Sequence, residues 1–222
     1  MNPPTPDRAD HLPLLDRDES ILRFNQRVLD WARRTDVPLL ERLRYLCIVS
    51  SNLDEFFEVR AELHLSASRH GKNVGPFSSD SHARISERAH TLVDEQYQLY
   101  NESLLPAFAK SGIHILPHNE RNHAQQQWVK TYFQNHVKPL LTPVGLDPSH
   151  PFPQVANKSL NFIVRLSGKD AFGRENEIAI VKVPRVLPRV IALPDRVCEG
   201  CKAFVLLSSV IRAHLAELFP GR

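Results

Sequence analysis

The sequence predicts an α+β protein, in which an all-helical bundle is followed by a mixed α/β region. Three observations predict this class. Apolar residues recur at helix spacing over residues 19–110, which indicates amphipathic helices. Five prolines between residues 139 and 153 exclude an ordinary helix there. Beyond them, β-branched and aromatic residues cluster in short runs between residues 161 and 207, which is typical of strands.

The first half contains three predicted helices, at residues 19–34, about 38–68, and 81–110. The loop between the second and third helices is rich in glycine, serine and proline, which favours a break in regular structure. Three successive helices, the middle one apolar on two sides, predict a small bundle.

The second half is predicted to alternate between strands and helices after Gly112. Strands are expected at 113–116, 161–166, 177–183 and 203–207, and helices at 121–137 and 208–219. The second and third of these strands are expected to form a hairpin, and the last helix is expected to start at a serine cap, Ser208 or Ser209. All the strands are predicted to share one sheet covered by helices. Its final strands are expected to lack partners and to leave an exposed edge.

Length and composition are those of a globular protein with a real core. The 222 residues are 42% hydrophobic and 24% charged. No apolar run approaches the ~18 residues of a membrane span, and the start of the chain lacks the apolar centre of a signal peptide. We therefore expect a cytoplasmic protein, with a peripheral place at the inner membrane face left open. The predicted organisation is a flexible leader at 1–16, a helical domain at 17–111 and a partial second domain at 112–222.

Charge is distributed unevenly along the chain. Residues 1–120 carry 14 basic and 18 acidic side chains, a net of −4, whereas residues 121–222 carry 14 and 7, a net of +7. A basic half suggests contact with an anion. A solvated basic surface without a ligand explains the same pattern, and both interpretations stay open.

One amide, Asn52, interrupts an apolar face of the second predicted helix. At about 100° per residue, Ile48 lies one turn before it and Phe56 one turn after it. Because a second apolar stripe covers another side of this helix, we predict that the helix is buried on two sides. A buried amide needs partners. These are either a neighbouring helix or a ligand such as a purine edge, since an amide both donates and accepts.

Other candidate residues have simpler interpretations. Cys198 and Cys201 form a single CxxC, and without two further ligands at suitable spacing they favour a tight turn over a zinc site. Cys47 is expected to lie in the core. His150 stands among prolines that restrict the backbone, and a histidine fixed by local hydrogen bonds is favoured over a proton donor or phosphate contact.

Several segments, in order, resemble a known family. Ser51-Asn-Leu-Asp-Glu-Phe-Phe57, followed by Val59 and Arg60, resembles the N-terminal signature of bacterial polyphosphate kinases of the long, phosphohistidine type. Further similar segments lie at 24–29, 38–43, 141–143, 147–153, 157–161, 183–188, 211–215 and 218–221. The likeness extends from about residue 17 to residue 222, which is more specific than one short motif. One departure is Ile21, where the family usually has tryptophan.

The resemblance implies a helical N-terminal domain followed by part of a head domain. It implies reversible transfer of the ATP γ-phosphate to inorganic polyphosphate through a phosphohistidine at a magnesium site. Those catalytic and metal residues belong to C-terminal domains with no counterpart in this sequence, so none is carried over and the chain alone is expected to be inactive. Asn52 is carried over as a contact of the ATP adenine. The family also implies a homo-oligomer associated through the head domain.

Basic residues near the predicted strands are candidate polyphosphate contacts, because a polyanion requires arginine or lysine along its path. We name Lys158, Arg185 and Arg189 in this role. Nucleic acid would need stacking aromatics beside such cations, and the phenylalanines of this half instead have the context of core or turn residues. Two further functions stay open: a stand-alone module that binds polyphosphate or another polyanion, and a helical adaptor that binds only protein.

Overall fold

The computed structural model describes residues 16–71, 75, 77–146, 152–167, 178–198 and 200–219. The chain divides into two compact units, Met1–Phe108 and Ala109–Arg222. The predicted leader, the predicted turn of the hairpin at 168–176 and His150 lie wholly or almost wholly outside the described residues. Within them, no helix is both long enough and apolar enough to cross a membrane.

The first unit is helical, as the sequence predicts. Its helices are α1 (Arg17–Arg33), α2 (Leu39–Val59), α3 (Ala61–His70) and α4 (Ser81–Leu99), after which a π-helical turn at Tyr100–Leu104 leads into α5 (Leu105–Lys110). The second predicted helix is therefore two helices, separated at Arg60, whose φ of −113° and ψ of −38° depart from helical values. The third predicted helix continues through the π turn.

Helix α1 begins at an aspartate cap and buries one stripe. The Asp16 carboxylate accepts hydrogen bonds from the backbone N–H groups of Asp18 (2.9 Å) and Glu19 (2.8 Å), which satisfies two donors that a helix start leaves unpaired. The buried residues of α1 are two polar and three apolar ones: Asp18, Leu22, Asn25, Leu29 and Ala32. This stripe packs against α2 and α4.

The expectation that α2 is buried on two sides is wrong. Its buried residues fall on one face, Arg42, Leu46, Val49, Leu53 and Phe56. On the predicted apolar face that contains Asn52, Ile48 and Val59 are exposed, and so is Phe57 on the other predicted stripe. Cys47, expected in the core, is also exposed. The neighbouring helices pack against α2 from one side only. The apolar periodicity therefore predicted a wider buried face than this helix has.

The second unit is α+β. Its helices are α6 (His123–Tyr132), which runs into a π turn at Phe133–Val137, and α7 (Leu207–Ala213). Its strands are β1 (Ile113–Ile115), β2 (Thr142–Gly145), β3 (Asn161–Arg165), β4 (Ile178–Lys182), β5 (Val190–Ala192) and β6 (Lys202–Leu206). The four predicted strands and both helices are confirmed in place, whereas β2 and β5 were not predicted.

The strands form two three-stranded sheets rather than the single predicted sheet. One sheet has the order β2-β4-β3 and is antiparallel, with β3 and β4 as the predicted antiparallel pair. The other has the order β1-β6-β5, in which β1 and β6 are parallel. The expectation that the last strands lack partners is wrong, because β6 is the central strand of its sheet. Pro143 is tolerated in β2 because this strand pairs on one side only.

The core of the second unit lies between the sheets and the helices, and Val205, Val181 and Phe133 are at its centre with no exposure. The expected serine cap of the last helix is not formed. Helix α7 starts at Leu207 without a side-chain cap, and the Ser209 hydroxyl instead accepts a hydrogen bond from Arg121 (2.5 Å).

Candidate functional site

An open pocket of about 260 Å³ lies at the ends of α1 and α2 in the first unit. Asn52 lines it, as do Ile21, Phe24, Glu55, Phe56, Val59 and Arg60. Phe24 and Val59 form an apolar rim that is 52% and 64% exposed. The volume lies just below the range of about 300–1,000 Å³ typical of ligand pockets, so it suits one ring system better than a large ligand. We call this the Asn52 pocket.

Asn52 is held in place by a second amide. Its Nδ2 donates to Oδ1 of Asn25 on α1 (3.0 Å), and Asn25 Nδ2 donates to the backbone oxygen of Val49 (3.0 Å). Asn25 is 1% exposed, whereas Asn52 is only half-buried. The sequence left two partners open for Asn52. The structure places it both in a helix–helix hydrogen bond and at the wall of a pocket.

Arg60, which also lines the pocket, is fixed by a buried polar cluster. Its Nη1 donates to Oδ1 of Asp18 (3.0 Å), and Oδ2 of Asp18 lies 3.0 Å from Nε2 of His64. His64 Nδ1 lies 2.8 Å from the Ser81 hydroxyl. Asp18, His64 and Ser81 are each 3% exposed or less. This cluster joins the first turns of α1 and α4 to α3, and it leaves 27% of the Arg60 side chain accessible.

Asp54 and Glu55, the two acids within the motif, are both exposed. Glu55 lines the Asn52 pocket, whereas Asp54 is not among its lining residues. Neither forms the ion pair that orients a nearby arginine. Arg44 pairs with Glu41 (3.6 Å), and Arg60 pairs with Asp18.

The three candidate polyphosphate contacts lie in the second unit, and all are exposed. Lys158 has a left-handed backbone, with φ of 55°. Arg185 donates from Nη2 to the backbone oxygen of Asn157 (2.5 Å), which brings it beside Lys158. Arg189 lies one residue before β5, a strand of the other sheet, and among the described residues no hydrogen bond or ion pair joins its side chain to Lys158 or Arg185.

The two cysteines of the CxxC belong to a turn. Cys198 follows a 3-10 segment, and its backbone N–H donates to Asp195 (3.1 Å). Gly200 has a φ of +76°, a conformation that favours glycine. Burial raises the pKa of the Cys198 thiol. The part of the chain that is described contains no group of three or more His, Cys, Asp or Glu residues arranged to hold a metal.

Sequence reasoning missed Asn25 and the Asp18–His64–Ser81 cluster. Asn25 had a signal that could have found it, because it is the one amide in the stripe Leu22, Asn25, Leu29, Ala32, and a buried amide needs partners. No signal in the sequence indicated the Asp18–His64–Ser81 cluster, because its members come from three separate helices and each is an ordinary polar residue of its own helix.

By fold and site, the chain is a two-unit α+β protein with a small pocket on its helical unit. Comparison with known proteins goes further. A model of the polyphosphate kinase N-terminal domain matches residues 14–116, and a model of the polyphosphate kinase middle domain matches residues 124–222.

Individual relatives agree with the two models. The polyphosphate kinase of Neisseria meningitidis serogroup B is 50% identical over 212 residues, which is 94% of this chain and 31% of that protein. The polyphosphate kinase of Burkholderia vietnamiensis is 49% identical over 214 residues, with the same shares. The crystal structure of polyphosphate kinase from Porphyromonas gingivalis superposes with a TM-score of 0.76 at 28% identity. The superposition covers 92% of this chain and 31% of the Porphyromonas gingivalis chain.

The chain therefore belongs to the polyphosphate kinase family, as the resemblance predicted. It corresponds to the N-terminal and middle domains of the family, and it spans about 31% of the length of the curated relatives that it matches.

Proposed function

We propose that this chain supplies one wall of the ATP site of a polyphosphate kinase, with Asn52 in contact with adenine. The complete enzyme transfers the γ-phosphate of ATP reversibly to inorganic polyphosphate. The observation that carries the proposal is an amide at an open pocket with an apolar rim, at the position that the family motif assigns to the base.

The chemistry of the Asn52 pocket supports a base as its occupant. Adenine has two apolar faces and a polar edge, so it needs apolar contact and one paired donor and acceptor. Phe24 and Val59 expose apolar surface at the rim, and the amide of Asn52 supplies the polar pair. The pocket volume of about 260 Å³ suits a base without its triphosphate. The phosphates then extend beyond the pocket.

The remaining parts of the site are proposed to lie outside this chain. The family places the phosphohistidine and the Mg²⁺ ligands in C-terminal domains, and Mg²⁺ supplies charge neutralisation at the transferred phosphate. We propose that residues 17–111 form the base-binding domain and that residues 112–222 form part of a head domain that contributes to subunit association. Alone, the chain binds ATP weakly and transfers no phosphate.

Replacement of one amide tests the proposal. Asn52→Ala weakens ATP binding by this chain, measured by equilibrium dialysis, and raises the KM for ATP in the complete enzyme. The expected loss is about fivefold or more, since one amide–base pair contributes about 1–3 kcal/mol. Asn101→Ala is the matched control, because Asn101 is an exposed amide of the same unit. Equal ATP binding by wild type and both variants contradicts the proposal.

The charge of the second half favours a second candidate function, a stand-alone module that binds polyphosphate. Residues 121–222 carry 14 basic against 7 acidic side chains, and Arg185 hydrogen-bonds the backbone of Asn157, the residue before Lys158. Under this candidate, the chain binds polyphosphate strongly, and added salt weakens binding steeply. Arg185→Ala reduces the affinity, whereas Arg44→Ala, an exposed arginine of the acidic half, does not. If the chain binds neither polyphosphate nor ATP, the remaining candidate is a helical adaptor that binds only protein.

A further inference from the structure

Two hydrogen bonds, from Asn52 to Asn25 and from Asn25 to Val49, fix the orientation of the Asn52 side-chain amide. The Val49 backbone oxygen can only accept, so the Asn25 atom 3.0 Å from it must be Nδ2. This hydrogen bond therefore fixes the orientation of the Asn25 amide. Its Oδ1 is left facing Asn52.

The same argument fixes the orientation of the Asn52 amide. Oδ1 of Asn25 can only accept, so Asn52 must present Nδ2 to it, at 3.0 Å. Rotating the Asn52 amide by 180° would set two oxygens against each other and leave the buried Asn25 oxygen unpaired, which is unfavourable. Asn25 cannot turn to compensate, because it is 1% exposed and held by a helix backbone.

The free edge of Asn52 is thereby defined. It consists of Oδ1, which accepts no hydrogen bond from the described residues, and of the second N–H of Nδ2. This edge accepts at one atom and donates at the next. The 6-amino group and N7 of adenine have the complementary pattern, since an asparagine pairs bidentately with those two atoms. Guanine and hypoxanthine carry a carbonyl oxygen at position 6, which would face Oδ1 as a second acceptor.

We infer that Asn25 is a positioning residue for base specificity. By fixing the orientation of the Asn52 amide, it makes the pocket select purines with a 6-amino group over purines with a 6-oxo group. This inference rests on the proposed function, because it requires a purine nucleotide in the Asn52 pocket. It adds which purine is chosen and which buried residue sets the choice.

Comparison of ATP with inosine triphosphate tests the inference on the unaltered chain. The two nucleotides differ at position 6 of the base, where an amino group is replaced by an oxygen. We expect ATP to bind about tenfold to a hundredfold more tightly, the discrimination of one bidentate pair. Equal affinities for the two nucleotides overturn the inference and leave the proposed function intact. If neither nucleotide binds, the proposed function fails and the inference falls with it.

Asn25→Ala separates positioning from support of the fold. Without Asn25, the Asn52 amide is free to present either edge, so the ratio of ATP affinity to inosine triphosphate affinity falls toward one. Asn52→Ala instead weakens the binding of ATP. A purely structural role for Asn25 would lower both affinities in the folded variant and leave their ratio unchanged, which would overturn the inference. If Asn25→Ala does not fold, the wild-type comparison decides.

Discussion

Arg60 donates to Asp18 across 3.0 Å, and this ion pair joins the break between α2 and α3 to the first turn of α1. The Asp18 side chain is only 4% exposed. Its other oxygen lies 3.0 Å from His64, so both oxygens of a buried carboxylate have partners. The wall of the Asn52 pocket that contains Arg60 therefore depends on a buried cluster whose other members do not line the pocket.

Removal of His64 should destabilise the first unit. His64→Ala leaves one oxygen of Asp18 and the hydroxyl of Ser81 without this partner, and an unpaired buried polar group costs about 1–3 kcal/mol. Urea unfolding measures the change. His90→Ala is the control, since His90 is exposed on α4 and surface changes stay within about 0.5 kcal/mol. Equal stabilities of the two variants would show that the cluster contributes nothing.

Ser209 should stabilise the second unit through a buried guanidinium. Arg121 is 4% exposed, and burial lowers its pKa. Within the described residues, its Nε and Nη1 have no hydrogen-bond partner, so Nη2 carries the contacts, to Ser209 (2.5 Å) and to the backbone of Leu116 (3.4 Å).

Ser209→Ala removes the shorter contact and should lower the unfolding free energy by about 1–3 kcal/mol, as measured by urea titration. Ser208→Ala, at the adjacent half-buried serine, should change it by less than about 0.5 kcal/mol. The prediction fails if both serines tolerate alanine equally.

Glu95 should make the free energy of unfolding depend on pH. Hydrogen bonds from Arg33 and from Gln26 hold the pKa of its carboxyl below the ordinary value of 4.5. A lowered folded-state pKa means that this contribution is complete above pH 4.5. It is then lost as pH falls through the lowered pKa.

The contribution of Glu95 stays below about 1 kcal/mol, because water screens this surface pair. Glu95→Gln should flatten the decline of unfolding free energy at acidic pH, measured by urea titration at a series of pH values. Glu87→Gln, at an exposed acid of the same helix, should leave the decline unchanged. An identical decline in wild type and Glu95→Gln would refute the role of Glu95.

The cysteines should differ in reactivity. Cys47 is exposed, whereas Cys198 is 3% exposed and burial raises the pKa of its thiol. Since the thiolate is the reactive form, a disulfide reagent should modify Cys47 of the folded chain first. Peptide mass spectrometry after timed labelling identifies the site. Modification of Cys198 at the same rate as Cys47 would contradict the described burial.

Strong local periodicity explains what the sequence predicted. The helices of the first unit have long apolar repeats. β3 and β4 are rich in β-branched residues and β6 has a run of aromatic and aliphatic ones, so the existence of these elements was predictable. Strand β5 has only three residues, and β2 contains Pro143. Neither has a local pattern that separates a strand from a loop.

Long-range pairing explains what the sequence did not predict. The parallel partners Ile113 and Lys202 are far apart in the chain, and nothing local in either segment specifies the other. The Asn52 pocket shows the same limit. Asn52 was identified from its place in a helix, but its orientation depends on Asn25 of another helix.

The most direct test of the central claim is a titration of this chain with ATP, followed by NMR of its asparagine side-chain amides. Asn52→Ala assigns the Asn52 resonances, and Asn101 serves as the reference. If adenine contacts Asn52, ATP causes saturable shifts of the Asn52 amide protons and no shift of the Asn101 protons. In Asn52→Ala, the resonances of the other pocket residues show no shift of comparable size. An Asn52 amide that stays unperturbed while other resonances report ATP binding would contradict the account.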